Sequence, residues 1–295
     1  MPFYSPLRYP GGKRRLVNFM KTIIQENNLL GCQYVEPYAG GASLGLALLF
    51  DGYANHIHIN DVDRAVYAFW YSVLYKTEEL IQLIQETPVT VDEWDRQRKV
   101  QENKNKVSLI KLGFSTFFLN RTNRSGIISG GIIGGKKQEG SWKLDCRFNK
   151  PELIKRIRKI SESKKKISLY NIDASVFIQT KLPNIQANSL VYLDPPYYVK
   201  GQEMLYVNFY EPDDHKDISN LLQHVHQRWV ISYDDVPEIN LLYNGYRSLA
   251  YELHYTAQEK YKGKEVLFFC NNMVLPDSRD PQNIKVPKPS LSPTI

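Results

Sequence analysis

Short apolar segments typical of β-strands alternate with longer segments of helical character along most of the chain. This alternation favours a largely parallel sheet, because parallel strands need a crossover connection and a helix normally supplies it. We therefore predict an α/β fold. The predicted strands cover residues 33–36, 56–60, 166–170, 189–193 and 229–232, followed by a hairpin of 247–254 and 265–270. The predicted helices cover residues 13–27, 42–50, 65–75, 151–163 and 213–226.

The alternation breaks down between residues 76 and 150. This part begins with a helical pattern and then becomes NRTNRSGIISGGIIGGKKQEGSW, which is too rich in glycine for a core element. We interpret 76–150 as an inserted subdomain carrying a β-hairpin or loop, within a domain formed by residues 1–75 and 151–275. Residues 276–295 are rich in proline and polar side chains, and we predict that they are disordered.

Acidic residues follow four of the predicted strands. In open α/β sheets, ligands bind beyond the carboxyl ends of the strands. Any one of these residues could instead cap a helix or belong to an ordinary loop, but the four together outline one crevice. They are Glu36, Asp61, Asp173 and Asp194. A glycine-containing run, EPYAGGASLG, starts at the first of them and differs in spacing from the dinucleotide-binding fingerprint.

The segment VYLDPPYYVK carries the most unusual of these strand ends. Pro195 and Pro196 cannot donate backbone hydrogen bonds and restrict φ, so the strand must stop there. Asp194 and Tyr197 are thereby held at either end of a stiff turn. From the residues alone, two interpretations stay open: a plain strand-terminating turn, or a site that presents a carboxylate, a proline carbonyl and an aromatic ring together.

Positive charge is concentrated in one part of the chain. The formal net charge is +7, with an isoelectric point of about 9.0. Residues 136–166 contain twelve Lys and Arg against four Asp and Glu, a local balance of +8. A solvated helix face accounts for part of this surplus. A basic band beside a flexible loop is also what a protein needs to bind a phosphate backbone.

The cysteines and the hydropathy of the chain bear on whether it has a metal site, disulfides or a membrane segment. Cys32, Cys146 and Cys270 form no CxxC or Cys/His cluster, so we predict reduced thiols and no metal site. The chain contains neither an apolar signal core at its start nor a run of 18 apolar residues. We therefore expect a cytoplasmic protein of a bacterium, archaeon or phage that does not contact a membrane.

These motifs resemble those of the Dam-type DNA adenine-N6 methyltransferases. The resemblance runs from Pro6 to about Asn271 and rests on PLRYPGGK, VEPYAGGASLGLAL, INDVD, FLNRTNRSGI, LYNIDASVF, LDPPYY, VISYDD and KGKEVLFF. Their order is that of the alpha group of these enzymes. The resemblance implies a Rossmann-like, S-adenosylmethionine-dependent methyltransferase sheet. It also implies that the insert is a mainly helical target-recognition subdomain bearing a β-hairpin.

The resemblance also implies a cofactor site for S-adenosyl-L-methionine across the strand ends. Tyr9 would pack against the cofactor, and Lys13 would reach its carboxylate region. Asp61 would bind the ribose hydroxyls, and Asp173 the adenine amino group. The other implied cofactor contacts are Glu36, Ala39, Gly40, Gly41, Ser43 and Asp194.

The implied substrate is an adenine flipped out of double-stranded DNA. Asp194 and the Pro195 carbonyl would accept the hydrogens of its N6 amino group, and Tyr197 would stack on the base. The implied catalytic set is Asp194, Pro195, Pro196 and Tyr197. The implied DNA contacts are Arg8, Arg121, Asn123, Arg124 and Ser125. We assign Lys136, Lys137 and Lys143 to phosphate contacts, and the alternative is that they are ordinary surface lysines. The insert departs from the family pattern, so no recognition sequence is implied.

Two other functions remain open at this point. Methyltransferases that act on RNA or on protein glutamine share the PPY element, although they usually carry Asn at its first position and lack the insert. A catalytically silent DNA-binding homologue would also keep the fold. A cognate restriction endonuclease or another subunit of a defence system is an open partner.

Overall fold

The computed structural model describes residues 3–8, 13–199, 210–253, 263–277 and 280–284. Within them, seven strands form one sheet in the order β3-β2-β1-β4-β5-β7-β6. Neighbouring strands pair in parallel except β7, which is antiparallel to β5 and β6. The α/β prediction is thus confirmed. The strands are β1 Cys32–Glu36, β2 Ala54–Asn60, β3 Ile167–Tyr170, β4 Ser189–Leu193, β5 Arg228–Asp234, β6 Arg247–Leu253 and β7 Gly263–Phe269.

The helices of the described residues follow the same rhythm. The first predicted helix begins with a 3-10 turn at Lys13–Leu16 before α1, and the short α8 and α10 were not predicted. Their apolar periods are too brief to read from sequence. The helices are α1 Val17–Glu26, α2 Ser43–Phe50, α3 Arg64–Tyr75, α4 Thr77–Glu86, α5 Val91–Glu102, α6 Leu109–Thr122, α7 Lys150–Glu162, α8 Ala174–Thr180, α9 Pro212–Leu222 and α10 Pro237–Leu242.

The insert is mainly helical, as predicted, and of the two forms weighed for its glycine-rich run, a β-hairpin or a loop, the described residues have the loop. The glycine-rich run has a single antiparallel bridge, between Asn123 and Ile132. Ser125, Gly126 and Gly134 have φ angles of 55°, 77° and 80°, in the left-handed region. Backbone in that region cannot continue an extended strand. The run therefore folds as a series of turns.

The insert shares its core with the rest of the molecule. Helix α6 packs against α3, and the rings of Phe69 and Phe117 stack across this contact with centroids 6.1 Å apart. Gly113 lies where the two helices approach most closely, because a Cβ there would overlap the Ala68 carbonyl oxygen. One cluster of buried apolar side chains includes Ile81 of the insert as well as Val191 of β4.

Part of the predicted disordered tail is packed. The Asn18 side-chain amide donates to the Ile284 carbonyl oxygen at 3.1 Å, and Ile284 packs against the core. Gln282 donates to the Glu252 carbonyl oxygen at 2.8 Å. Residues 280–284 are therefore anchored, because an apolar side chain and two amides find partners, and the disorder of 276–295 as a whole stays a prediction. Residues 285–295 lie outside the described part.

The three cysteines are free thiols in different settings. Cys32 and Cys270 are buried, and burial raises the pKa of the Cys32 thiol to about 11. Cys146 is exposed, next to Arg147 in the insert. No helix among the described residues is long and apolar enough to span a membrane.

Candidate active site

The loops that follow β1, β2 and β3 are joined by one side chain that the sequence did not single out. Asn60 is fully buried at the end of β2. Its amide nitrogen donates to the carbonyl oxygens of Pro37 at 2.9 Å and Ile172 at 3.0 Å. Its amide oxygen accepts from the Ile172 backbone N–H at 3.1 Å. Asn60 therefore fixes the edges of the crevice relative to one another.

Asp61 lies directly after Asn60 and faces the glycine run. Its carboxylate accepts from the backbone N–H groups of Gly40 and Asp63, both at 2.9 Å. Burial raises the pKa of Asp61 to about 7, although these two N–H groups favour the charged form. Carboxylate oxygens have further lone pairs, so Asp61 can still accept from a ligand's hydroxyl groups.

Asp173 caps a helix in the structure. It accepts from the backbone N–H groups of Ser175 at 2.8 Å and Val176 at 3.4 Å, at the start of α8. Burial raises the pKa of Tyr210, and the nearby charge of Asp173 adds a smaller contribution in the same direction. The capping role weighed for these residues is present here, and the contact of Asp173 with a cofactor adenine stays a prediction.

Glu36 is buried at the end of β1. Its Oε1 accepts from the Gly45 backbone N–H at 3.0 Å, in the first turn of α2. Burial raises the pKa of Glu36 to about 8, so it holds a proton at neutral pH. Glu36 thus joins β1 to α2, and its contact with a cofactor stays a prediction.

The glycine run that leads into α2 bends sharply. Gly40 and Ala42 have φ angles of 47° and 45°, so the backbone is left-handed on either side of Gly41. Ala39 is buried, and Ser43 begins α2. Their cofactor contacts stay predictions. Tyr9 lies outside the described residues.

Lys13 lies against the DPPY motif. Its Nζ is 3.3 Å from Asp194 Oδ1 and 3.3 Å from Glu265 Oε2, and it also donates to the Tyr197 hydroxyl. Lys13 is 9% exposed and Glu265 is fully buried. Tyr251 donates to the same Glu265 carboxylate at 2.6 Å. The predicted contact of Lys13 with the cofactor carboxylate is not tested by this arrangement and stays a prediction.

Glu265 is a site residue that sequence reasoning missed. It lies on β7 in the run KGKEVLFF, where it is the acidic residue beside an apolar stretch. A carboxylate at a buried strand position must find a charged partner or take up a proton. That signal was available, but its partner Lys13 lies 252 residues away in the sequence.

The two oxygens of Asp194 have different surroundings. Ser232 Oγ donates to Oδ1 at 2.9 Å, on the same oxygen that faces Lys13. No donor among the described residues is within hydrogen-bond distance of Oδ2. Burial raises the pKa of Asp194, Lys13 and Ser232 oppose the rise, and the Glu265 charge adds to it. The side chain is 26% exposed, so Oδ2 can meet an incoming donor.

The turn after Asp194 is held from β5. Asp234 accepts from the backbone N–H groups of Tyr198 and Val199, both at 2.9 Å. Pro195 is buried and Pro196 is partly buried. Ser232 and Asp234 both come from the motif VISYDD, whose alternating polar residues were the available signal. β5 therefore fixes the DPPY turn at two points.

The predicted DNA contacts of the insert divide into exposed and buried residues. Arg124 and Ser125 are exposed at the turn after α6. Asn123 is fully buried: its side chain accepts from Trp94 Nε1 at 2.6 Å and donates to the Ile127 carbonyl oxygen at 2.8 Å. The structure thus gives Asn123 a role in holding the turn, and its DNA contact stays a prediction.

Arg8 and Arg121 are tied to the same region. The backbone N–H of Arg8 donates to Asn120 Oδ1 at 2.7 Å, and its guanidinium donates to the Asn123 carbonyl oxygen at 3.4 Å. Arg121 Nε donates to the Arg147 carbonyl oxygen at 2.7 Å. Base or phosphate contacts of these two arginines stay predictions.

The three predicted phosphate-binding lysines are exposed. Lys136 Nζ lies 2.8 Å from Asp95 Oδ1. Lys143 donates to the Gln138 carbonyl oxygen. Exposed ion pairs are worth at most about 1 kcal/mol, so the pair with Asp95 does not prevent Lys136 from exchanging partners. The phosphate contacts of Lys136, Lys137 and Lys143 stay predictions.

No group of three or more His, Cys, Asp or Glu side chains in the described part of the chain could hold a metal ion.

The sheet order, the carboxylates at the strand ends and the DPPY turn are those of a methyltransferase of the S-adenosyl-L-methionine-dependent class.

Comparison with known proteins identifies the family. The model of the D12 class N6 adenine-specific DNA methyltransferases matches residues 9–261, and the chain belongs to this family. It is an adenine-specific DNA methyltransferase by family, and S-adenosyl-L-methionine is the methyl donor that the family implies. A search of curated protein sequences found no match.

Solved structures give only distant likenesses. The rRNA methyltransferase aviRa from Streptomyces viridochromogenes is 12% identical with a TM-score of 0.34, covering 85% of this chain and 83% of that one. A DUF519 protein from Legionella pneumophila str. Philadelphia 1 is 10% identical with a TM-score of 0.33, covering 89% and 86%. At these scores the likenesses carry no argument.

The residues of the crevice fit the methyl donor by their chemistry. Asp61 has lone pairs left for hydroxyl groups after its two backbone contacts. The left-handed Gly40 brings backbone without a Cβ to the same edge. Carboxylates also favour a positively charged sulfonium nearby.

Proposed function

We propose that this protein is a site-specific DNA methyltransferase that transfers the methyl group of S-adenosyl-L-methionine to N6 of an adenine flipped out of duplex DNA. The observation that carries the proposal is the environment of Asp194. Its Oδ1 is engaged by Ser232 and Lys13, while Oδ2 is free of described donors on a partly exposed side chain. An N6–H group of the target adenine fits that acceptor.

Asp194 and the Pro195 carbonyl together overcome the weak nucleophilicity of the adenine amino group. The N6 lone pair of adenine is delocalised into the ring and is a poor nucleophile. When Asp194 Oδ2 and the Pro195 carbonyl accept the two N6 hydrogens, the lone pair points out of the plane that they define. The donor supplies an electrophilic methyl group. The carboxylate also stabilises the positive charge that develops on the nitrogen during transfer.

Base flipping requires compensation for lost stacking. Extruding a nucleotide costs a few kcal/mol, and stacking on an aromatic ring returns about 1–3 kcal/mol. Tyr197 is the aromatic residue of the motif, and its hydroxyl is held by Lys13. A ring anchored at its hydroxyl is positioned for stacking before the base arrives.

The basic character of the chain supports DNA as the substrate. The net charge of +7 and the local surplus in 136–166 favour a polyanion. The turn bearing Arg124 and Ser125 is exposed beside this surplus. Arginine is the side chain that most often reads guanine, which fits Arg124 as a base-reading residue.

Single-molecule sequencing of plasmid DNA from a methylation-free host tests the proposal. We expect N6-methyladenine in one defined motif in cells that express the wild-type chain, and none with Asp194→Ala. Asp217→Ala, an exposed aspartate on α9, is the matched control and should leave the motif methylated. Purified Asp194→Ala should keep its affinity for DNA.

Two outcomes would overturn the proposal. Unmodified DNA with labelled methyl transfer to RNA or protein would establish a different substrate. Unmodified DNA together with DNA binding but no cofactor binding would establish a silent homologue.

A further inference from the structure

A cavity that we call the arginine cavity adjoins the strand-end crevice at Gly41 and Ser43 and extends away from the DPPY turn. It has a volume of about 530 Å³ and is bounded by residues 3–8, the start of α1, one side of α2, the insert and α7. Five guanidinium groups line it. They belong to Arg8, Arg14, Arg121, Arg147 and Arg156.

The acidic side chain in this lining does not balance that charge. Asp51 lines the cavity, and its carboxylate is already bound by Lys21 Nζ at 2.6 Å and by the Tyr4 hydroxyl at 2.8 Å. The remaining described lining residues are apolar, uncharged polar or arginine. The cavity therefore has a strong excess of positive charge.

Within the described part of the chain, the hydrogen bonds of the Arg8 and Arg121 guanidinium groups go to uncharged groups. Arg8 donates to the Asn123 carbonyl oxygen. Arg121 donates to the carbonyl oxygens of Arg147 at 2.7 Å and Pro6 at 3.4 Å. Backbone carbonyls satisfy N–H groups but do not cancel charge. No carboxylate of the described residues forms an ion pair with Arg8, Arg121 or Arg147.

Arg156 is the partial exception. Its Nε lies 3.1 Å from Glu152 Oε1, one turn earlier on α7, and another nitrogen donates to the Ser5 carbonyl oxygen at 3.3 Å.

Burial and the neighbouring arginines lower the pKa of Arg121 to about 9. Like charges held together in a partly buried space are stabilised when an anion binds between them.

We propose that the arginine cavity binds phosphate groups of the DNA backbone beside the recognition turn. Guanidinium groups match phosphate oxygens in bidentate geometry. Arg8 and Ser125 line the cavity and also belong to the segments that carry the predicted base contacts, so a strand read there passes over it. The inference rests on the proposed function for the identity of the polyanion, and it assigns Arg14, Arg147 and Arg156 to DNA binding.

The salt dependence of duplex DNA affinity tests this assignment. Each phosphate contact that is lost should reduce the slope of log K against log salt by about 0.9. We expect that loss for Arg147→Gln and for Arg156→Gln, with affinity reduced severalfold at low salt. The matched control is Arg158→Gln, on the same helix, whose guanidinium pairs with Glu78 at 3.1 Å on the exposed face. It should keep the wild-type slope.

The variants are chosen so that a loss of DNA affinity does not result from misfolding. Arg147 is exposed and Arg121 is not substituted, because its side chain joins two backbone segments. The melting temperature of Arg156→Gln is compared with that of Arg158→Gln. Wild-type slopes in Arg147→Gln and Arg156→Gln would overturn the proposal.

A second arm separates DNA phosphate from free phosphate. The melting temperatures of wild type and Arg147→Gln are measured with inorganic phosphate and with chloride at equal ionic strength. A phosphate-specific rise in wild type that Arg147→Gln loses, together with an unchanged DNA slope, would assign the cavity to free phosphate and overturn the DNA proposal.

Failure of the proposed function gives a different pattern. If the variants show reduced salt slopes but the wild-type protein methylates no DNA, the proposed function is refuted and the cavity assignment stands. If the wild-type protein methylates DNA but the variants keep the wild-type slope, the proposed function stands and the cavity assignment is refuted.

Discussion

At the scale of single residues, the charge balance around Asp194 is the feature with the most direct effect on the chemistry. One ammonium group, Lys13, lies between the carboxylates of Asp194 and Glu265. Breaking a buried charge set by removing one partner is costly because the remaining charges are left unbalanced. Glu265 is fully buried, and its carboxylate is bound by Lys13 and Tyr251. It acts through Lys13, as a positioning residue.

Glu265→Gln should therefore lower kcat by about tenfold or more, because small displacements of reacting groups have effects of that size. The Glu265 charge raises the pKa of Asp194. Its removal lowers that pKa, and the acid limb of the kcat–pH profile should move to lower pH. Steady-state methylation rates measured from about pH 5 to about pH 8 give both kcat and the position of the acid limb.

Glu238→Gln, an exposed carboxylate on α10, is the control. A purely structural role for Glu265 would lower the melting temperature and leave the acid limb where it is. That result would contradict the positioning role.

The residues that bear the chemistry differ in how far the sequence reveals them. Asp61 and Asp194 follow from strand ends and from the residue types around them. Asn60, Ser232 and Asp234 do not, because their importance lies in hydrogen bonds to segments more than 20 residues away. Their polar side chains are visible in the sequence, but their partners are determined by the order of the strands.

At the scale of elements, the crossing of α3 and α6 joins the insert to the catalytic sheet. A Cβ at Gly113 would overlap backbone of α3 at Ala68 and the Ser72 side chain. Backbone cannot move away as a side chain can, so the helices would have to separate. Nothing in the sequence around Gly113 distinguishes it from the glycines of the loop.

Gly113→Ala should thus destabilise the fold by about 1–3 kcal/mol, as overpacking typically does. Urea denaturation followed by circular dichroism measures the change. Gly131→Ala is the control, because a Cβ there meets no heavy atom within 4 Å. Equal stabilities for the two variants would mean that the crossing is looser than described.

At the scale of the whole molecule, catalytic and inserted parts bury their apolar side chains in one cluster. It contains Trp94 and Phe117 of the insert together with Leu193 and Phe269 of the sheet. The alternation of strands and helices stops between residues 76 and 150, which predicts a division of the chain there, and that division stays a prediction. The periodicity shows where a pattern changes, but it does not show which faces meet.

A shared core predicts one cooperative transition on unfolding. Calorimetry of the full chain should give one peak with equal calorimetric and van't Hoff enthalpies. Hydrogen exchange should show amides of α6 and β4 losing protection together in denaturant. Two separated peaks, or earlier exchange of α6 alone, would show that the insert folds as a separate unit.

The contrast between Cys146 and the two buried cysteines has a practical consequence. A maleimide dye reacts with an exposed thiol and spares buried ones with raised pKa, so the wild-type chain should accept one label without any substitution. That label would sit next to Arg147, at the edge of the arginine cavity. Its fluorescence would then report the arrival and departure of a DNA strand in real time, which makes the unmodified protein its own sensor of substrate docking.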